Sequence, residues 1–299
     1  MPIQNRDRGL LLAGALLFTC TDAVTAAETP PRDAAGLANI QLVTELDAVQ
    51  PGKTFLIGLL VAPEPGHHTY WKAPGIVGVA TTQIWTLPPG CVVGETHWPT
   101  PSRISMAGIT AYGYPDEVLL LTEIAVPADY TGDSVDLKLR VGWMACSAQC
   151  NPGIADLELR LPVEAEDAPV RTVAAWHTRF AETLALQPSS APAEWRLSLQ
   201  EINDTEFDLV LTLPDLENFA HDGLSFFSYD QQVHSDKEQI LTTVSDGSTL
   251  RLRLTRTEFA PTDATHLTGL LFCPQGWPGL DSSWVEISVP WHPDTTDLP

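Results

Sequence analysis

Cys146 and Cys150 enclose only Ser147-Ala148-Gln149. Two thiols so close can support thiol–disulfide exchange, which needs a reactive thiolate, access for a partner and a resolving thiol beside it. A bond between them closes a five-residue loop. The chain-entropy relation gives such a loop ~2 kcal/mol of stabilisation, against ~4.7 kcal/mol for a loop of about 100 residues. A bridge that stabilises so little is cheap to open, as a redox pair requires; an inert local disulfide is the competing reading. Val141 to Met144 reads as the end of a strand and Asn151-Pro152-Gly153 as a turn signal. Cysteines flanking a hairpin-like turn can bring their α-carbons within the ~4.4–6.8 Å that a disulfide spans. A metal–thiolate site lacks the second cysteine pair that usually completes four ligands. Arg140 is the nearest base in sequence, so any group that activates a thiolate must come from the fold or from a partner. Trp143 is expected in the core.

The elements that must position this pair are mostly strands. Ile40 to Val49, Thr54 to Val61, Thr82 to Leu87, Glu117 to Val126 and Val135 to Met144 are apolar or alternating runs separated by turn clusters. A second series comprises Trp195 to Leu199, Phe207 to Leu213, Leu250 to Leu254 and Val285 to Val289. Between them, Val173, Trp176, Phe180 and Leu184 are spaced for one helix face. The expected architecture is all-β: two antiparallel β-sandwich domains, 38–165 and 191–299, joined by a short helical connector over 166–190.

Residues 1–27 read as a signal peptide, with Arg6 and Arg8 before the apolar run Gly9 to Phe18 and small residues at Val24-Thr25-Ala26. That implies export to the periplasm; lipid anchoring at Cys20 is disfavoured by Thr19. No later stretch holds eighteen consecutive apolar residues. The net charge of −22 argues against nucleic acid and against anionic lipid as partners. There is no phosphate loop and no nucleophile-elbow serine. Cys91 and Cys273 either form a second disulfide across the domain interface or remain two buried thiols. His67 and His68, adjacent on a strand, should point to opposite faces. One of them could join Met106, Met144 or the cysteines in a soft Cu(I) site.

The segments HHTYWKAPGIVG (67–78), TTQIWTLPPG (81–90), HWPTPSR (97–103), YGYPDEVLL (112–120) and WMACSAQCNPG (143–153) form an ordered set. As a set they resemble the N-terminal periplasmic domain of the DsbD family of thiol–disulfide interchange proteins, in its ScsB-like branch linked to copper tolerance. The resemblance covers 38–165, and the region after 190 is similar to the second β domain of that branch. It implies an immunoglobulin-like sandwich with a redox cysteine pair and no cofactor. The pair would take electrons from a membrane-embedded or thioredoxin-like partner and pass them to envelope disulfides. It implies that Cys150 forms the mixed disulfide and Cys146 resolves it. It also implies a cap loop, mapping to about 102–114, with Met106, Ile109, Tyr112 and Tyr114 as candidate covering side chains. The best-known members place five residues between their cysteines; this chain places three, as the ScsB-like branch does. With no membrane-spanning stretch and no Cys-x-x-Cys motif of its own, the chain is expected to need a separate electron donor. The alternatives are a binding or scaffolding sandwich with an inert disulfide, and an envelope copper-binding protein.

Overall fold

The structure, a computed structural model, describes residues 27–214, 219–244 and 248–292. The expected signal segment lies outside the described residues except for Ala27. Among the described residues the regular structure is β apart from one α-helix.

Three sheets build the N-terminal half. The first orders β1 (Arg32–Ala34), β2 (Leu37–Thr44), β3 (Thr54–Pro63), β9 (Val118–Ala125) and β6 (Val92–His97). The second orders β11 (Cys150–Pro162), β10 (Ser134–Cys146) and β5 (Thr82–Thr86). Their inner faces interdigitate around Ile40, Leu42, Ile57, Leu59, Leu120, Leu137, Leu139 and Leu159, all nearly inaccessible to solvent. The alternation of β10 makes the packing possible: Val135, Leu137, Leu139, Val141 and Trp143 point inward, while Asp136, Lys138 and Arg140 point out. Trp143 is in this core as expected, its indole N–H donating to the Ala35 carbonyl at 3.3 Å.

The third sheet orders β4 (Thr69–Tyr70), β8 (Ile109–Tyr114) and β7 (Ser102–Met106). The segment expected as a cap loop is therefore a β-hairpin. Its turn is Ala107-Gly108, where φ is +51° and +84°, the backbone twist that two-residue hairpin turns demand. Propensity alone gives so short and polar a hairpin little signal, because its stability comes from what covers its two faces.

The helix α1 (Ala174–Ala185) packs Trp176 and Phe180 onto the outer face of the first sheet, against Val43, Leu60, Leu119 and Leu121. Leu184, expected on that face, is exposed, and Thr183 takes its place. Seven residues beyond Trp176 return to within ~20° of its direction, whereas eight overshoot by ~80°.

The C-terminal half has two four-stranded sheets. One orders β12 (Ser189–Ser190), β19 (Trp284–Pro290), β18 (His266–Phe272) and β15 (Ser225–Ser228). The other orders β13 (Arg196–Glu201), β14 (Glu206–Thr212), β17 (Thr249–Thr255) and β16 (Ile240–Thr243). All pairings are antiparallel except β12 with β19. Phe207, Leu209, Leu252, Leu271 and Ile287 lie in the core between them. The two halves share apolar contacts as well: Phe227 and Leu270 pack into the N-terminal core.

Replacing Phe180, which is 1% exposed, by alanine should cost ~3–5 kcal/mol of unfolding free energy. Denaturant unfolding monitored by tryptophan fluorescence measures it; a loss below ~1 kcal/mol would mean the helix is not docked as described.

Candidate functional site

The outer face of β10 changes character along its length. It carries Asp136, Lys138 and Arg140, then Gly142, and then Met144 and Cys146. In register, Cys146 stands opposite Cys150, Met144 opposite Pro152 and Gly142 opposite Ile154. The backbone N–H and C=O of Cys146 both bond to His68, each at 2.9 Å. On a strand these two groups point to the same side, so Cys146 and Cys150 form the close, non-hydrogen-bonded kind of antiparallel pair. Their α-carbons are 4.1 Å apart and the sulfurs are bonded.

This register corrects one expectation. Asn151-Pro152-Gly153 is not the turn but the start of β11, and the chain reverses at Ser147-Ala148-Gln149. Proline is tolerated there because β11 is an edge strand and Pro152 occupies a non-hydrogen-bonded position, so no ladder donor is missing.

Access to the two sulfurs is unequal. Cys146 is completely buried, whereas Cys150 is half-buried at the hairpin end. Cys146 lies in a small apolar cluster with Tyr70, Ile104 and Ala111, flanked by Val77, Met106, Met144 and Cys150. Ile104 and Met106 on β7 and Ala111 on β8 share the hairpin face turned toward the sulfurs. Of the four candidate covering residues, Met106 is in this cluster and Ile109 stands opposite it, half-buried. Tyr112 and Tyr114 belong instead to the main core. Tyr114 donates to the Pro99 carbonyl at 2.6 Å. Burial pushes the Tyr112 phenol up to about 12. Residue order placed all four on one segment, but the hairpin's period of two divides them between its faces.

The fold brings two histidines next to the cysteine hairpin. His68 is the lateral neighbour of Cys146, and its Nε2 lies 3.4 Å from the Tyr70 hydroxyl. Burial, with His67 adding repulsion, holds the His68 pKa below its usual value. The Nε2 of His67 lies 3.2 Å from Ser147 Oγ and 3.3 Å from Asn151 Nδ2, pinning both sides of the cysteine turn. Its Nδ1 is buried without a hydrogen-bond partner. The two histidines do serve opposite sides of the chain. Sequence alone singles out His67 and His68 only as candidate Cu(I) ligands, and gives Tyr70 no role at the site. Their one sequence signal is the polar-aromatic cluster His67-His68-Thr69-Tyr70, whose nearness to Cys146 depends on a long-range bridge.

Cys91 and Cys273 are separate free thiols and do not form the second disulfide considered from sequence. Cys91 packs on the N-terminal core and Cys273 lies inside the C-terminal one. Burial raises the pKa of each, so both are poor nucleophiles at neutral pH. Met106 and Met144 do flank the pair, but among the described residues no three His, Cys, Asp or Glu side chains are grouped to hold a metal.

Residues 39–162 match the family described as "Thiol:disulfide interchange protein DsbD, N-terminal". The crystal structure of the N-terminal periplasmic domain of ScsB from Proteus mirabilis superposes with a TM-score of 0.64 at 22% identity, over 88% of this chain and 98% of that one. It therefore shares the fold across both halves, and the immunoglobulin-like reading of the architecture holds. A Bacteroides ovatus glucan-utilisation protein, SGBP-B, in complex with a mixed-linkage heptasaccharide, overlaps with a TM-score of 0.17 at 13% identity, over 80% of this chain and 53% of that one, too low a score to inform the fold. No curated protein matches the chain. No helix among the described residues is long and apolar enough to cross a membrane.

Unfolding the chain without reductant, in a form lacking residues 1–27, should release two titratable thiols, Cys91 and Cys273, and reduction should add the other pair. In the native reduced protein, iodoacetamide should modify Cys150 before Cys146, as peptide mass spectrometry would read. Equal labelling, or Cys146 first, would contradict the burial order.

Proposed function

From the premise that residues 39–162 are a DsbD N-terminal-type segment, we propose that the protein is an exported thiol–disulfide interchange module that relays electrons through Cys146 and Cys150. The proposal includes export by residues 1–27, a redox sandwich over 38–165, a connector over 166–190 and a second sandwich over 191–299. The observation that carries it is the unequal exposure of two bonded sulfurs at a strand end under an apolar cover.

The chemistry follows from that inequality. A thiolate of a dithiol donor, thioredoxin-like or membrane-embedded, attacks Cys150 Sγ, the less buried of the two sulfurs. The Cys146–Cys150 bond breaks and Cys146 leaves as a thiolate. The donor's second thiolate then attacks the mixed disulfide and frees Cys150, so two electrons have passed and the donor is oxidised. In the second half, the Cys150 thiolate attacks an envelope protein's disulfide and expels one of its sulfurs as thiolate. Cys146 attacks Cys150 Sγ, releases the substrate's other sulfur and restores the internal bond. Cys146, inaccessible from outside, is suited to resolving and unsuited to first attack. The fold ties His68 to Cys146 through the backbone and His67 to the cysteine turn through Ser147 and Asn151.

A partner needs a landing surface. The outer face next to the pair carries Met144 and then Ile154 and Ile84, which are 67% and 63% exposed. Ile84 shares its row with the ion pair Arg140–Asp156, and Lys138–Glu158 follows in the next row. An apolar strip running up to the reactive sulfur, bordered by charge, fits a transient protein contact.

A Cys146→Ala variant should accumulate mixed disulfides through Cys150 in envelope extracts, and a Cys150→Ala variant should accumulate none. Ile154→Asp should slow exchange with a protein partner by about tenfold, the cost of a charge at an apolar contact, and leave reduction by dithiothreitol unchanged. A reduction potential well below about −300 mV would instead mark a structural bond and sink the relay.

A further inference from the structure

The hairpin over the cysteines is too small to hold itself in place. A two-stranded hairpin is marginal in water, and β4 adds pairing only at Gly113 and Tyr114. Further along the same edge, the Trp71 N–H donates to the Tyr112 carbonyl at 3.1 Å, and the Tyr112 N–H donates to Pro74 at 2.9 Å. The next residue facing that side is Thr110, and the C-terminal half takes both its backbone groups. The Thr110 N–H donates to Asp236 Oδ1 at 2.7 Å, and the Ser235 hydroxyl donates to the Thr110 carbonyl at 2.7 Å. Two side chains thus replace the missing stretch of strand.

The same hydroxyl of Ser235 accepts the Ile76 N–H at 3.2 Å, and Gln231 donates to the Gly75 carbonyl at 3.0 Å. Gly75 has a φ of +91°, and a β-carbon there would run into the Ser235 hydroxyl. Ring contacts surround these bonds. Tyr112 lies 4.4 Å from Phe227, the Arg103 guanidinium lies over Phe227 at 5.4 Å, and Lys72 lies over Tyr229 at 3.9 Å. The hairpin is therefore gripped on both faces. Ile104, Met106 and Ala111 rest toward the sulfurs, while Arg103 and Tyr112 rest against the C-terminal half.

We propose that Ser235 and Asp236 are positioning residues, a clamp by which the C-terminal sandwich holds the β7–β8 hairpin down over Cys146 and Cys150 and sets how often the pair is uncovered. This rests on reading the hairpin as the cover of a redox pair. Lifting the hairpin off the sulfurs requires both Thr110 bonds to break and Tyr112 to leave Phe227. A partner that inserts at the hairpin must supply that work or wait for the clamp to open.

The test is the rate at which a small phosphine, TCEP, reduces the Cys146–Cys150 bond in the full chain. With each hydrogen bond worth a factor of a few in an opening equilibrium, Ser235→Ala combined with Asp236→Ala should speed reduction by about tenfold. Amide exchange should rise at Thr110 and Ile76 and stay unchanged along β10 and β11. An unchanged TCEP rate despite faster exchange at those two amides would overturn the clamp. Should the double variant lose protection in β10 and β11 too, Asp236→Ala alone decides, because that side chain is exposed: a severalfold faster reduction supports the clamp and no change refutes it. The relay reading fails separately. If a thioredoxin-like protein exchanges with neither the parent nor the variants while TCEP reduction accelerates, the clamp stands and the relay does not.

Discussion

A strand in a two-layer sandwich can bury only one of its faces, and β10 uses the other for sulfur. Its inward residues, from Val135 to Trp143, knit the N-terminal core. The outward row is ordinary charged surface until Met144 and Cys146. Placing the cysteines on the outer face at the strand's end frees the disulfide from the core. Both sulfurs lie outside the main core, in a small cluster of their own with Tyr70, Ile104 and Ala111. The same placement creates a problem: an outer face is wet, and a dithiol there would meet every oxidant. The third sheet packs over the strand end, burying Cys146 and leaving Cys150 half-buried.

The energies agree with this division of labour. A five-residue loop gives the bond ~2 kcal/mol of chain-entropy stabilisation, about what one buried leucine or phenylalanine side chain contributes. A sandwich with two dozen buried apolar side chains in its main core does not depend on so small a staple. The histidines are fixed by the same local ladder. His68 is tied to Cys146 by paired backbone bonds, and His67 reaches the turn from the other side of the chain. Opening the disulfide alters the surroundings of both without breaking a strand.

The C-terminal half extends this logic. It has a core of its own, yet its surface side chains complete the edge of β8 and its Phe227 packs beside Tyr112. The connector helix docks elsewhere, on the outer face of the first sheet through Trp176 and Phe180. The N-terminal sandwich is thus braced on one flank by the helix. The β7–β8 hairpin is braced by the second sandwich, through Ser235 and Asp236.

Composition and periodicity determined a good deal without coordinates. Alternating runs gave the all-β class and the strands of both series, and the spacing of Trp176 and Phe180 gave the helix, because these patterns report local burial that each segment carries within itself. The closeness of Cys146 and Cys150 in sequence permitted a bond between them, and the β10–β11 register sets the two opposite each other. Tertiary structure alone decided the rest. Pro152 sits in a strand, against its local turn signal, because β11 is an edge with no donor required at that position. The expected loop became a hairpin whose two faces send Met106 to the sulfurs and Tyr112 to the other half of the molecule. His68 reaches Cys146, and Ser235 reaches Thr110, across 78 and 125 positions of chain. Local sequence cannot encode such meetings, since each depends on where distant strands pair and not on the residues beside it.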